Sequence, residues 1–206
     1  MSTPPLPDLV QRVRLLTDGG RALLGVTGAP GAGKSTFAAR LAAAVGPAVV
    51  VPMDGFHLAQ AELDRLGRAD RKGAPDTFDA AGFVALLDRL RTQRPEEVVY
   101  APTFDRHLEE PIAGALPIAP DVRLVVVEGN YLLHDDGAWA GVASQLDECW
   151  YVEIDEQVRV DRLIARHVAH GRSATAAREW TLGTDQRNAT VIAGTRPRAD
   201  VVVRLG

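Results

Sequence analysis

The chain has 206 residues, of which 46% are hydrophobic and 24% are charged, and its formal net charge is −4 at pH 7. This length and composition exclude wholesale disorder and predict one folded domain over residues 1–206. A single cysteine, Cys149, excludes an internal disulfide framework, and no apolar run approaches the ~18 residues that a membrane-spanning helix needs.

Apolar runs alternate with helix-period segments, which is typical of a mostly parallel sheet with helices on both faces. In chain order the predicted elements are helix 6–18, strand 22–27, helix 35–45, strand 48–53, helix 80–94, strand 97–101, strand 122–127, helix 137–146, strand 149–154, helix 156–170, helix 174–193 and strand 199–203. Segments 57–78 and 102–121 are predicted to be long and irregular, and such loops are commonly functional in compact domains.

A phosphate-binding pattern follows the first predicted strand. Residues 28–35 read Gly-Ala-Pro-Gly-Ala-Gly-Lys-Ser and fit G-x-x-x-x-G-K-[ST] at every fixed position. Backbone N–H groups of such a loop point at phosphate oxygens, and the next helix adds the positive end of its dipole. Lys34 is expected to reach the β- and γ-phosphates of ATP, and Ser35 to ligate Mg²⁺. The predicted nucleotide-binding residues here are Gly28, Ala29, Pro30, Gly31, Ala32, Gly33, Lys34, Ser35 and Thr36. The expected architecture is a three-layer α/β fold of the P-loop NTPase type, with five or six strands.

The scarcity of lysine narrows the class of P-loop protein. Of 23 basic residues, 21 are arginine and only Lys34 and Lys72 are lysine; asparagine occurs only at Asn130 and Asn188. Neither lysine lies in the Asn-Lys-x-Asp motif of guanine-specific switches, and the chain is short for the coupling modules of large ATPases. The sequence therefore favours phosphoryl transfer to a small molecule.

Three carboxylates, Asp54, Asp105 and Glu128, follow predicted strands. Ligands of doubly wound sheets lie beyond the carboxyl ends of the strands. A kinase needs one carboxylate beside the acceptor hydroxyl and another near the metal. Asp54 suits the first role and Glu128 suits the second. The alternative is that these acids cap neighbouring turns.

Four motifs in order resemble the uridine kinase, phosphoribulokinase and bacterial pantothenate kinase family, especially its short members named fructose-transport-system kinases. The motifs are Met53-Asp-Gly-Phe-His57, Arg71-Lys-Gly-Ala-Pro-Asp-Thr-Phe-Asp79, Tyr100-x-Pro-x-Phe-Asp105 and Val127-Glu-Gly-Asn130. The resemblance implies that Asp54 is the catalytic base, that Glu128 is the metal-associated acid, and that segments 72–79 and 100–107 form the acceptor pocket. His57 stands where uridine kinases usually carry an aromatic residue.

An arginine-rich helix is predicted near the C-terminus. Arg159, Arg162 and Arg166 share one helical face, and the family resemblance implies a lid over 156–172. We expect Arg162 and Arg166 to stabilise the transferring phosphoryl group, with Arg166 also contacting ATP. Segment 195–200, which contains Arg196, is expected either to approach the adenine or to form a plain connecting loop. The alternative is that these arginines form a solvated helix face that pairs with nearby acidic residues. His167 and His170, which lie in the predicted lid, are predicted to be solvated.

The expected acceptor pocket is rich in hydrogen-bond donors and charge. Its predicted residues are Asp54, His57, Lys72, Asp76, Tyr100, Asp105, Arg106, His107 and Glu128. Such groups suit a sugar first, a nucleoside second and a pantothenate-like acid third. A different class, a nucleotide-binding regulatory protein without turnover, remains as the alternative.

The sequence also predicts how the protein is used. The mild acidity offers no general basic footprint for nucleic acid, and no secretory leader pattern is present. We therefore expect a cytoplasmic monomer or homodimer whose partner is a small-molecule substrate, without nucleic acid or membrane.

Overall fold

Two β-sheets and seven α-helices make up the computed structural model, which describes residues 5–206; residues 1–4 of the predicted domain lie outside the described residues. The strands are β1 (Ala22–Thr27), β2 (Ala48–Pro52), β3 (Val99–Asp105), β4 (Glu110–Ile118), β5 (Leu124–Glu128), β6 (Glu148–Glu153) and β7 (Val201–Arg204). The helices are α1 (Leu6–Thr17), α2 (Lys34–Val45), α3 (Gln60–Arg65), α4 (Ala80–Arg91), α5 (Glu156–Ala169), α6 (Ala174–Trp180) and α7 (Gln186–Thr195).

The larger sheet is parallel throughout, with strand order β2-β5-β1-β6-β7. Its register pairs Val26 of β1 and Pro52 of β2 with Glu128 of β5, so these three strands end side by side. The predicted mostly parallel sheet with helices on both faces is confirmed. None of the helices in the described residues combines the length and apolar character needed to cross a membrane.

Alternate residues of the sheet feed two hydrophobic cores. Leu24, Val126 and Trp150 face one core, which α1 and α2 cover. Leu23 and Val125 face the other, which α4, part of α7 and the smaller sheet cover. Because side chains of a strand alternate between faces, almost wholly apolar strands such as β5 are buried on both sides.

The third predicted strand, 97–101, forms as β3 but does not join the parallel sheet. Strand β3 instead pairs antiparallel with β4, with Val99 opposite Ile118 and Asp105 opposite Glu110. The prediction of an irregular segment over 102–121 is therefore wrong. The prolines and exposed residues of β4 are typical of a loop sequence, which is why no strand was predicted there. An edge strand tolerates proline and exposure because its outward N–H groups need no partner in the sheet.

Smaller differences occur in the helices. Segment 137–146 forms two 3₁₀ turns, Gly137–Gly141 and Ala143–Gln145, rather than an α-helix. Segment 57–78 is not irregular throughout, because it contains α3 and two 3₁₀ turns. The predicted helix 174–193 is divided into α6 and α7 by a π-helical turn, Thr181–Asp185.

Candidate active site

Glycine is required in the loop between β1 and α2, which we call the P-loop (residues 28–35). Gly28 and Gly31 have φ of 147° and 81°, and Gly33 caps α2 at φ 90°. A Cβ on Gly28 would lie 2.3 Å from the Val152 carbonyl oxygen, and one on Gly31 would lie 2.7 Å from Leu163 Cγ. The loop can hold this curl only with glycine at these positions.

Lys34, Ser35 and Glu128 meet at the end of β5. Lys34 Nζ donates to the Ala29 carbonyl at 3.2 Å and lies 3.9 Å from Glu128 Oε1, while Ser35 Oγ donates to Glu128 Oε2 at 3.1 Å. Burial lowers the pKa of Lys34, and the Glu128 carboxylate opposes this. Burial likewise raises the pKa of Glu128 against the effect of Lys34. A hydroxyl, a carboxylate and an ammonium are thus held within contact distance.

Asp54 lies in a 3₁₀ turn, Met53–Phe56, that follows β2. Its carboxylate forms an ion pair with Arg106, at 2.9 Å from Oδ2 to Nη2. The smaller sheet approaches this turn so closely that a Cβ on Gly55 would lie 2.4 Å from the Pro102 carbonyl oxygen. This contact brings the loop that carries Arg106 to the carboxyl end of the parallel sheet.

One cavity of about 470 Å³ joins the P-loop, the 3₁₀ turn, the β3–β4 loop and helices α5 to α7. Predicted site residues that line it are Pro30, Gly31, Lys34, Ser35, Asp54, His57, Lys72, Arg106, Glu128 and Arg166. The structure thus brings part of the P-loop together with Glu128 and Asp54 at a common space, as their places at strand ends suggested.

Aromatic rings of the cavity contact cations or one another. The His57 ring lies 4.0 Å from the Phe78 ring and 4.9 Å from the Phe104 ring, between centroids. Lys72 and Arg106 lie over Phe104 at 5.5 and 5.4 Å from its centroid. Arg172 lies 4.1 Å over Trp180, the third aromatic lining residue besides Phe78 and Phe104.

Four predicted acceptor residues do not line this cavity. Asp76 pairs with Arg71 on the surface at 2.9 Å, and Tyr100 is exposed on β3. Asp105 accepts hydrogen bonds from the backbone N–H of His107 and Leu108, which lowers its pKa and caps the loop between β3 and β4. The His107 side chain is exposed.

The arginines of the predicted lid and of the predicted adenine segment differ in whether they face the cavity, the P-loop or the end of the sheet. Arg166 lines the cavity. Arg162 lies beside the P-loop, with Nη1 3.6 Å from where a Cβ on Gly33 would be. Arg196 forms an ion pair with Glu153 at 2.7 Å, at the end of β6. Arg159 is buried and donates to the Pro30 carbonyl at 3.1 Å.

Sequence reasoning missed several polar residues of the cavity. His167 and His170, predicted to be solvated, line it together with Asp185, Asn130 and Asn188. His167 Nε2 lies 2.7 Å from Asp185 Oδ2. The two lysines and two asparagines of this arginine-rich chain all line the cavity, so rarity was the signal that could have singled out Asn188.

The donor set beside Lys34 fits Mg²⁺. Mg²⁺ prefers oxygen ligands and commonly binds through one or two carboxylates, nucleotide phosphates and water. The Ser35 hydroxyl and Glu128 carboxylate supply such oxygens side by side. Residues 5–206 contain no cluster of three or more His, Cys, Asp or Glu that could hold a metal without such help.

Relatives of this chain are known from sequence. The model described as "Phosphoribulokinase / Uridine kinase family" matches residues 23–206. A Schizosaccharomyces pombe protein named "Putative uridine kinase" is 35% identical over 204 residues, which cover 93% of this chain and 86% of the relative. An "ATP-dependent kinase-like protein" of Aspergillus versicolor is 36% identical over 152 residues, covering 70% and 88%.

A solved structure is also similar. The crystal structure of a "putative fructose transport system kinase" from Silicibacter sp. TM1040 matches with a TM-score of 0.89 and 40% identity, over 97% of this chain and 98% of that one. The family match spans both the P-loop and the strand-end carboxylates. The chain therefore belongs to the phosphoribulokinase / uridine kinase family and is an ATP-dependent small-molecule kinase.

Proposed function

We propose that the protein transfers the γ-phosphoryl group of ATP to a hydroxyl of a sugar, with a fructose-like molecule as the representative acceptor. The carrying observation is the cavity wall opposite the P-loop. It presents the polar groups of Asp54, His57, Lys72 and Arg106, and both Lys72 and Arg106 lie over the Phe104 ring. Sugar hydroxyls pair with such groups, whereas a nucleobase needs a free flat slot.

On the phosphate side, the P-loop N–H groups and Lys34 would hold the β- and γ-phosphates. Ser35 and Glu128 would hold Mg²⁺, which when bound neutralises charge on the phosphate oxygens. Arg166 from the cavity wall and Arg162 beside the P-loop would stabilise charge on the transferring group. Arg196 lies near the end of β6, where we place the adenine side.

On the acceptor side, Asp54 would orient the reacting hydroxyl and accept its proton. Arg106 Nη2 donates to Asp54 Oδ2 at 2.9 Å and fixes the position of the carboxylate. The proton passes from the acceptor oxygen to Asp54 as that oxygen bonds to phosphorus and the ADP oxygen leaves. Without Asp54 the nucleotide could still bind, but the acceptor hydroxyl would lack its base.

A nucleoside is the second candidate, favoured by the name of the Schizosaccharomyces pombe relative. The name of the Silicibacter structure favours the sugar. A pantothenate-like acid comes third. The alternative from another class is a regulatory protein that binds nucleotide without turnover, for which the position of Asp54 at the cavity would have no use.

An acceptor screen tests the proposal. ADP release by the purified protein with ATP and Mg²⁺ is measured against ketoses, aldoses, nucleosides, pantothenate and phosphorylated sugars. We expect a free sugar to give the highest kcat/KM. A nucleoside or pantothenate that exceeds the best sugar by about tenfold, a transition-state preference of about 1.4 kcal/mol, would overturn the ranking. Absence of turnover with every acceptor would favour the regulatory protein.

A further inference from the structure

The side-chain amide of Asn188 lies at the cavity and has no hydrogen-bond partner among residues 5–206. Its residue is 6% exposed on α7 and lines the cavity. Its Nδ2 lies 3.8 Å from where a Cβ on Gly73 would be, so the amide is near the loop after Lys72. A polar side chain of a largely buried residue that opens onto a cavity without a protein partner is placed to hydrogen-bond a ligand there.

Asp185 lies three residues before Asn188, at the end of the π-helical turn, and is 8% exposed. His167 on α5 binds its Oδ2 at 2.7 Å. In this contact His167 Nε2 donates and the Asp185 carboxylate oxygen accepts. The second carboxylate oxygen, Oδ1, has no hydrogen-bond partner in the described part of the chain.

The spacing of Asn188 and Asp185 places both side chains on one face of the helix, with Cβ atoms about 5–6 Å apart. An amide both donates and accepts, and a carboxylate accepts, so together they match two neighbouring hydroxyl groups. Local π-helical turns are frequently found at functional sites, where they alter which side chains face inward.

We infer that Asn188 and Asp185, the latter positioned by His167, recognise a pair of adjacent hydroxyls on the acceptor, remote from the hydroxyl held at Asp54. The acceptor therefore carries at least three hydroxyls, two of them adjacent. This rests on the proposed kinase activity, and it adds residues that choose the substrate.

The test compares the wild type with Asn188→Ala and Asp185→Asn, using the best acceptor from the screen and its single-deoxy analogues. Each variant is expected to raise the KM for the acceptor roughly tenfold, the effect of losing a hydrogen bond to a buried polar group, with the KM for ATP unchanged. Thr190→Ala is the matched control, because Thr190 is exposed on α7 and bonds only to the Gln186 carbonyl of its own helix.

For the wild type, one deoxy analogue should be a poorer substrate than the intact acceptor. For Asn188→Ala, the same analogue and the intact acceptor should be equally good substrates, because the variant has already lost the hydrogen bond that the missing hydroxyl would make. Deoxy effects that are equal in wild type and variant for every position would overturn the inference. So would parallel rises in both KM values, which indicate a merely structural role. A nucleoside that shows the non-additive pattern at its ribose hydroxyls would contradict the sugar ranking but support the inference. An acceptor without adjacent hydroxyls, or no acceptor at all, overturns it.

Discussion

His57 shows how one residue links packing to the chemistry of the cavity. Its ring is held between Phe78 and Phe104, and its Nδ1 donates to the Asp54 carbonyl at 2.8 Å. Burial lowers the pKa of His57 below its ordinary value of 6.5. The side chain is therefore neutral in the folded protein at neutral pH, and it packs as an aromatic residue that can still offer a hydrogen bond.

The lowered pKa of His57 makes stability depend on pH. Below pH 6.5 the unfolded chain binds a proton at His57 more readily than the folded chain does, so acidification favours unfolding. We expect His57→Phe, which keeps a ring at this position, to lose less stability than wild type between pH 7.5 and 5.5. The difference is at most about 1.4 kcal/mol, because it involves one proton over one pH unit. Urea unfolding at both pH values measures it, and identical pH dependence in both proteins would count against a buried neutral His57.

At the scale of elements, a buried arginine of α5 hydrogen-bonds the P-loop. Arg159 is 2% exposed and donates to the Pro30 carbonyl at 3.1 Å. The same guanidinium binds Glu156 on its own helix and Gln186 at the start of α7. The arginine-rich face thus has two functions, because Arg159 joins three elements whereas Arg166 faces the cavity.

Removing this contact should weaken the fold and the P-loop together. Arg159→Ala is expected to lower the free energy of unfolding by about 2–4 kcal/mol, since it removes buried charge-assisted hydrogen bonds. ATP affinity should fall as well. Urea unfolding and nucleotide titration measure the two effects, with Arg94→Ala as control because the Arg94 side chain is 81% exposed. An equal loss in both variants would show that Arg159 does not fasten α5.

Segment 156–172 is predicted to act as a lid. If Arg162 and Arg166 engage the phosphates, amide hydrogen exchange over this segment should slow when a non-hydrolysable ATP analogue binds. Helix α4 serves as the internal control, because it packs on the second core and none of its residues lines the cavity. Unchanged exchange over 156–172 would instead support the solvated-face interpretation of these arginines.

At the scale of the whole molecule, the parallel sheet could be predicted because its strands are apolar on both faces. The β3–β4 hairpin could not, since Pro102, Pro111 and Pro117 in these strands resemble loop sequence. That error matters for the site, because the hairpin carries Arg106 to Asp54 but leaves Tyr100 and His107 exposed. A continuous helix was expected where the π-helical turn now lies, and local periodicity carries no signal for that register change.

Site residues that belong to a sequence motif or follow a predicted strand could be predicted, whereas those that meet only through tertiary packing could not. The P-loop, Asp54 and Glu128 were found by motif and strand-end reasoning, and they line one cavity. Asp185 and His167 have no sequence motif to mark them, since their contact depends on how α5 packs against the π-helical turn. Such tertiary pairs follow from packing, which single-sequence patterns do not encode.

The central proposal is that Asp54 is the base for phosphoryl transfer in this cavity. The most direct test is turnover and ATP binding of Asp54→Asn, with the exposed Asp88→Asn on α4 as the matched control. We expect kcat of Asp54→Asn to fall by about 10²-fold or more while the Kd for ATP stays within about twofold of wild type. The control should match wild type in both. Turnover by Asp54→Asn at the wild-type rate would contradict the proposal.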